Sequence, residues 1–189
     1  MCRVNFKAFF LLEQEQEAVV ILPGGFKPPH KGHFEALKYL LKSGARQAKV
    51  FIGKKERDGI TQEQSLKIWS IYKKYISANV EVVAVTGVDK AGREATPLSM
   101  TYDFIEDNKG NFSKFIVGAG EEDLKRFKGL EANKEKYPNT TVVSIPPQFD
   151  RISGTATRKS IQDKEESALS FVPSEAKKDA DAIKMVLGI

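Results

Sequence analysis

The chain contains two histidines, and they stand three positions apart: His30 and His33. They close the string Gly24-Gly25-Phe26-Lys27-Pro28-Pro29-His30-Lys31-Gly32-His33, which follows the apolar run Val19-Val20-Ile21-Leu22. Two glycines let main-chain N–H groups approach a ligand closely. Two prolines stiffen the loop, so the imidazoles are placed rather than free. The loop enters a helix whose first N–H groups and dipole favour phosphate. The chemistry to expect is therefore binding and polarisation of a phosphate group. The competing reading is a pair of incidental surface histidines in a Gly/Pro-rich turn. Zinc fits poorly, because two nearby histidines need a third ligand that nothing clearly supplies, and no metal ligand is expected from the protein. The G-x-x-x-x-G-K-[ST] string of a P-loop is absent.

These residues need elements to hold them. Val19–Leu22 is short, apolar and ended by Pro23-Gly24-Gly25, so it reads as a buried strand. From Gly32 the apolar spacing becomes helical, with Phe34, Leu37, Leu40 and Leu41 on one face. Lys49–Gly53, Val80–Val85, Phe115–Val117 and Thr141–Ile145 read as four more strands. Between them, Thr61 and Gln64 form a capping box for a helix carrying Ile68, Trp69 and Tyr72. Pro97 opens another helix, and Glu121–Leu130 reads as a further one. A short helix is expected after Thr155, and a last one from about Ser174 to Leu187. Five Val/Ile-rich strands alternating with helices predict an α/β fold: a doubly wound, five-stranded parallel sheet of Rossmann type. Ligands of such sheets sit beyond the carboxyl ends of the strands, where the histidine loop lies.

The string Gly24–His33 resembles the G-x-F-x-P-x-H-x-G-H signature of the cytidylyltransferase-like (HxGH) nucleotidyltransferases. Ile152-Ser153-Gly154-Thr155-Ala156-Thr157-Arg158 matches that superfamily's second signature, I-S-x-T-x-x-R, about 120 residues later and after the fifth strand. Read without the first motif, this segment is an ordinary Ser/Thr helix cap with a surface arginine. The resemblance spans roughly residues 18 to 187. Within the superfamily the chain looks most like archaeal-type and phage nicotinamide mononucleotide adenylyltransferases.

That resemblance implies transfer of a nucleoside monophosphate from an NTP to a phosphorylated small molecule, with release of pyrophosphate and no covalent intermediate. Catalysis would be positioning and charge stabilisation. His30, His33 and Arg158 take the catalytic roles, with His33 acting most directly on the α-phosphate. Gly24, Gly25, Phe26, Gly32 and Ile152 fall in the nucleotide-binding signatures, the first three offering main-chain contacts. Ser153 and Thr155 would hold the β- and γ-phosphates. Gly118, at the end of the fourth strand, would contact the base or make a tight turn. Lys27 stands where many relatives have an acid or a neutral polar residue, and either contacts phosphate or points to solvent. Magnesium (Mg2+) would accompany the triphosphate, held by phosphate oxygens and water.

The acceptor side of the resemblance rests on Arg57, Thr61 and Trp69. Thr61 matches the helix start of the archaeal-type relatives, but Ser65 stands where they have arginine, and Arg57 is the candidate substitute. Trp69 either stacks on a base or nicotinamide ring or belongs to the core. Three readings stay open: adenylyl transfer from ATP to nicotinamide mononucleotide, cytidylyl transfer to a phosphorylated alcohol, and a nucleotide-binding module without catalysis.

Composition narrows the rest. The 189 residues carry a net charge of +5, 41% hydrophobic and 29% charged residues, suiting one globular domain with an anionic partner. Positive charges alternate with acids, so the pI of about 9.1 does not point to nucleic acid. The single cysteine, Cys2, precludes an intrachain disulfide and fits a cytoplasmic setting. The apolar runs Ala8–Leu12 and Ala18–Leu22 are too short to span a membrane. Residues 1–17 are expected to form an N-terminal appendage, 18–170 the nucleotidyltransferase domain, and 171–189 a C-terminal helix packed on it. Phe6, Phe9, Phe10 and Leu11-Leu12-Glu13 also resemble the processed leaders of some phage head-packaged proteins; a helix packed on the domain is the preferred reading. The resemblance further implies a tendency to assemble as a homo-oligomer.

Overall fold

A computed structural model describes residues 17–147, 152–163 and 166–189. The N-terminal appendage up to residue 16, with its leader-like motif, lies outside the described residues. Five strands form one parallel sheet: β1 (Ala18–Gly24), β2 (Gln47–Ile52), β3 (Asn79–Ala84), β4 (Lys114–Gly120) and β5 (Thr140–Ile145). Their order is β3-β2-β1-β4-β5. The chain steps outward from β1 to β3, then crosses back to lay β4 on the other side of β1. The carboxyl ends of β1 and β4 thus flank the point where the winding reverses, the place where sheets of this kind open a crevice.

β1 is buried on both faces, which explains its uninterrupted apolar sequence. Val20 and Leu22 join one core with Phe34, Leu37, Val50, Ile68, Trp69 and Ile183. Val19 and Ile21 join the other with Phe51, Ile105, Phe115, Val117 and Leu130. The first face is covered by α1 (Lys31–Leu41), α2 (Gln62–Tyr72), α5 (Gly154–Gln162) and α6 (Ala180–Leu187), the second by α3 (Pro97–Asn108) and α4 (Lys128–Ala132).

Two expected helices come out differently. The Glu121–Leu130 pattern divides into a 3-10 helix, Glu121–Phe127, and the short α4, because Phe127 at φ −102° and ψ 5° leaves helical geometry. The Ser174–Leu187 pattern divides at Asp179, where φ −98° and ψ 14° end a 3-10 helix before α6 begins. The Asp179 carboxylate there accepts a hydrogen bond from Tyr75 Oη at 2.5 Å. The C-terminal segment is tied to the site as well: Lys31 N–H, the first amide of α1, donates to Phe171 O at 2.7 Å. Among the described residues no helix is long and apolar enough to cross a membrane.

Candidate functional site

A cavity of about 1250 Å³ opens at the carboxyl ends of the strands. That exceeds the roughly 300–1,000 Å³ usual for one small ligand, so it has room for two. His30, Gly32 and His33 at the start of α1 line it, as do Ile152, Ser153, Thr155 and Arg158 at the start of α5. Gly24, Gly25, Phe26, Lys27, Arg57 and Gly118 also line it.

His30 is the N-cap of α1 and His33 its third residue. The His30 main-chain N–H donates to His33 Nδ1 at 3.2 Å. The two rings stack, with centroids 3.5 Å apart and planes inclined by 24°. His30 is only 8% exposed, and burial lowers its pKa from 6.5 to about 4. Burial, reinforced by the neighbouring His30, holds His33 well below 6.5. Near neutral pH both rings are therefore uncharged donors and acceptors. In the first turn, Lys31 N–H is taken by Phe171 O, while the His33 and Phe34 amides donate to His30 O. The Gly32 amide is left without a protein acceptor among the described residues, and Gly32 lines the cavity.

The loop before His30 is shaped by two contacts that sequence reading missed. Phe26 adopts φ +49°, the left-handed region a bulky side chain rarely enters. Its ring packs edge-on against His33 at 4.8 Å and Trp69 at 5.6 Å. Its carbonyl accepts from Ser65 Oγ at 2.7 Å. Ser65 is fully buried, and its hydroxyl props the loop. Phe26 is therefore mainly a buttress.

On the opposite wall, Ser153 caps α5, its Oγ accepting from Ala156 N–H at 3.4 Å. Arg158 Nη2 donates to Thr155 Oγ1 and Nη1 to Lys27 O, both at 3.1 Å. The last contact joins the two signature segments directly. Arg158 Nε donates to Asp58 Oδ2 at 2.5 Å. Asp58, at φ +48° in the turn between Arg57 and Ile60, thus places a carboxylate where an anionic ligand would meet Arg158.

Of the two readings of Lys27, the solvent-facing one does not hold. It is 4% exposed, and its ammonium donates to Gly25 O at 2.9 Å and Gly53 O at 2.8 Å. Burial, with the Arg57 charge second, lowers its pKa to about 8.

Three further expectations need correction. Trp69 is fully buried in the core and does not line the cavity, because the apolar face of α2 turns toward the sheet. Thr61 is spent on the α2 capping box, accepting from Gln64 N–H at 3.2 Å, and lies outside the cavity lining. Gly118 lines the cavity but is not a tight turn. It sits inside β4 paired with Val143, where a Cβ would overlap Leu40 Cδ1 and lie 2.9 Å from Ile145 Cδ1. Glycine is required there so that α1 can pack on the sheet.

Other lining residues gave no motif to read. Glu94, Thr96 and Pro97 reach the cavity because the β3–α3 connection folds into a small hairpin closed by a Val88–Glu94 bridge. Asp89 holds that hairpin, its carboxylate accepting from the Ala91 and Arg93 amides and the Arg93 guanidinium. Among the described residues, no group of His, Cys, Asp and Glu is arranged to hold a metal ion.

No family model matches the chain, and no curated protein matches its sequence. Its structure is similar to Plasmodium falciparum nicotinic acid mononucleotide adenylyltransferase complexed with APC. The TM-score is 0.62 at 13% identity, over 90% of this chain and 97% of that one. A Vibrio parahaemolyticus protein assigned as a nicotinate-nucleotide adenylyltransferase aligns with TM-score 0.62 at 14% identity, over 88% and 98%. The chain shares the five-stranded, Rossmann-like α/β fold of these structures. Thermotoga maritima TmcAL bound with α-thio ATP is similar at TM-score 0.52 and 12% identity, over 89% of this chain and 55% of that one. In this chain that fold sets the starts of α1 and α5 around one cavity.

Proposed function

We propose that the protein is a nucleotidyltransferase that binds ATP at the starts of α1 and α5 and transfers its adenylyl group to a pyridine mononucleotide, nicotinamide mononucleotide or its nicotinic acid counterpart. The observation that carries this reading is the convergence of two helix N-termini on one cavity, with His30 and His33 on one side and Ser153, Thr155 and Arg158 on the other. The names of the Plasmodium and Vibrio neighbours support the acceptor class.

In this mechanism a phosphate oxygen of the acceptor attacks the α-phosphorus of ATP. A new P–O bond forms there, the bond to the bridging oxygen of the β-phosphate breaks, and pyrophosphate leaves. His33, with Nδ1 accepting from His30 N–H, presents Nε2–H to a non-bridging α-phosphate oxygen. The Gly32 amide and the α1 dipole act on the same charge. Each well-aimed donor supplies on the order of 3 kcal/mol as charge develops. Because the rings are neutral before ATP arrives, two adjacent imidazoliums need not be stabilised in the free site. Arg158 exchanges Asp58 for the β- and γ-phosphates, beside the hydroxyls of Ser153 and Thr155. Magnesium would accompany the triphosphate and would supply partial neutralisation of its charge.

The test is pyrophosphate release by purified protein with magnesium, each of ATP and CTP, and a panel of mononucleotides and phosphorylated alcohols. ATP with a pyridine mononucleotide should be the productive pair. Release only with CTP and a phosphorylated alcohol would replace the acceptor and base assignments. No release with any pair would remove the enzymatic reading.

A further inference from the structure

We propose that Lys27, together with Arg57, binds the phosphate of the acceptor, and that the buried ammonium of Lys27 selects acceptors bearing a phosphate monoester dianion. This rests on the two-substrate reading of the cavity and adds to it the residue that holds the nucleophile.

Lys27 connects both halves of the cavity. Its carbonyl accepts from Arg158 on the α5 side. Its ammonium turns the other way, to Gly25 O after β1 and Gly53 O after β2. Gly53 is itself pinned to the first loop by its N–H, which donates to Gly24 O at 2.9 Å. An ammonium has three donors. Two are spent on these carbonyls, and the third has no protein acceptor among the described residues, while Lys27 lines the cavity.

The neighbouring charge is of the same sign. The Arg57 Cζ lies 3.9 Å from where a Gly25 Cβ would stand, beside the carbonyl that Lys27 holds. Neither Lys27 nor Arg57 has an ion-pair partner among the described residues; the nearby acids are committed elsewhere, Asp58 to Arg158 and Glu94 to Lys54. A desolvated ammonium beside an exposed guanidinium of the same sign, neither with an ion-pair partner among the described residues, is an unfavourable arrangement until an anion arrives. The triphosphate is served by α1 and α5, so the anion that completes this side is the second substrate's phosphate. There it would lie between the β2 edge and the histidines, on the path to the α-phosphorus.

Charged and titratable groups line the cavity with Lys27 from the β2–α2 connection (Lys54, Lys55, Arg57), the β3–α3 connection (Glu94), the segment after β4 (Glu122, Asp123, Arg126), α5 (Arg158) and α1 (His30, His33); of these, Arg57 is the charge that acts on the ammonium. Burial holds both histidines below 6.5, so a loss of acceptor affinity above pH 8 follows Lys27, whose pKa is lowered to about 8.

The experiment is calorimetric titration of ribose 5-phosphate, as a minimal phosphate monoester, into protein saturated with α,β-methylene ATP and magnesium. Wild type, Lys27→Gln and Lys27→Arg are compared from pH 7 to pH 9.5. Wild-type affinity should fall by up to about tenfold per pH unit above about pH 8, with a proton taken up on binding. Lys27→Gln should bind ribose 5-phosphate roughly 10- to 100-fold more weakly at pH 7, the range for one hydrogen bond to a charged group. Its affinity for the ATP analogue should change less than about threefold. Lys27→Arg should retain binding and lose the pH dependence.

The wild-type pH profile stands even where a variant does not fold. Ribose 5-phosphate binding that is flat from pH 7 to 9.5, or that Lys27→Gln leaves unchanged, overturns the proposal. So does a loss confined to the ATP analogue. Lys27-dependent binding in a protein that releases no pyrophosphate would support this inference while removing the catalytic reading.

Discussion

The main-chain N–H of His30 donates to Nδ1 of His33 at 3.2 Å, so the neutral His33 ring carries its proton on Nε2. A surface histidine is free to exchange tautomers; this one is set as a donor. His33→Ala should lower the turnover rate at least about 100-fold, while calorimetric ATP affinity changes by less than about fivefold, since helix amides, Ser153, Thr155 and Arg158 remain. Steady-state kinetics with ATP titration separates the two quantities. An unchanged rate would remove His33 from the reaction.

Acid should destabilise the fold through the same pair. His30 has its pKa depressed from 6.5 to about 4, so between those values the unfolded chain binds more protons than the native one. Stability therefore rises with pH across this window and is lost as pH falls from 6.5 toward 4. The His30 contribution is at most about 3 kcal/mol at the acid end, and His33 acts in the same direction. Denaturation melts in steps from pH 7 to 4 should show a slope that His30→Asn reduces. Equal slopes would mean that the His30 ring gains water or a partner in solution.

Asp58 should compete with ATP. Its carboxylate is about half exposed, while Arg158 is 12% exposed, so the pair is a surface bridge on one side only. Such bridges contribute roughly 0.2–1 kcal/mol. Asp58→Asn should accordingly tighten ATP binding by about two- to fivefold, with the difference shrinking at high salt. Titrations at two ionic strengths check it. Weaker binding would instead make Asp58 the group that orients Arg158 for its ligand.

The cavity wall built from the starts of α1 and α5 was legible because local strings carry it. A glycine pair, a proline pair and two histidines at a helix start stand within ten residues. The five strands were equally readable, since β1 and its neighbours are buried on both faces and so run apolar without interruption. The rest of the cavity is different in kind. Sequence leaves Lys27 open between a phosphate contact and solvent until Gly53 O, 26 residues on, is brought beside it. Phe26 at φ +49° depends on Ser65 and Trp69, 39 and 43 positions later. Gly118 looks like an exit turn, yet its reason is Leu40, across the sheet. The Val88–Glu94 hairpin carries no periodicity at all. The hairpin apart, each of these is a long-range contact, and no short window of sequence contains both partners.

Trp69 supplies a test of which side of that divide a residue falls on. Its ring is fully buried between Phe26 and Tyr72, at centroid distances of 5.6 and 5.9 Å. Its Nε1–H has no acceptor among the described residues. Trp69→Phe has two opposed effects. Lost volume costs about 2–3 kcal/mol, and removing an unsatisfied buried donor recovers about 1–3 kcal/mol. The net loss should stay under about 2 kcal/mol in urea denaturation. KM for both substrates should move less than about threefold, because Phe26 still rests on an aromatic ring. A tenfold rise in acceptor KM at unchanged stability would return the indole to the acceptor site, and the α2 face described here as core would have to be redrawn as cavity wall.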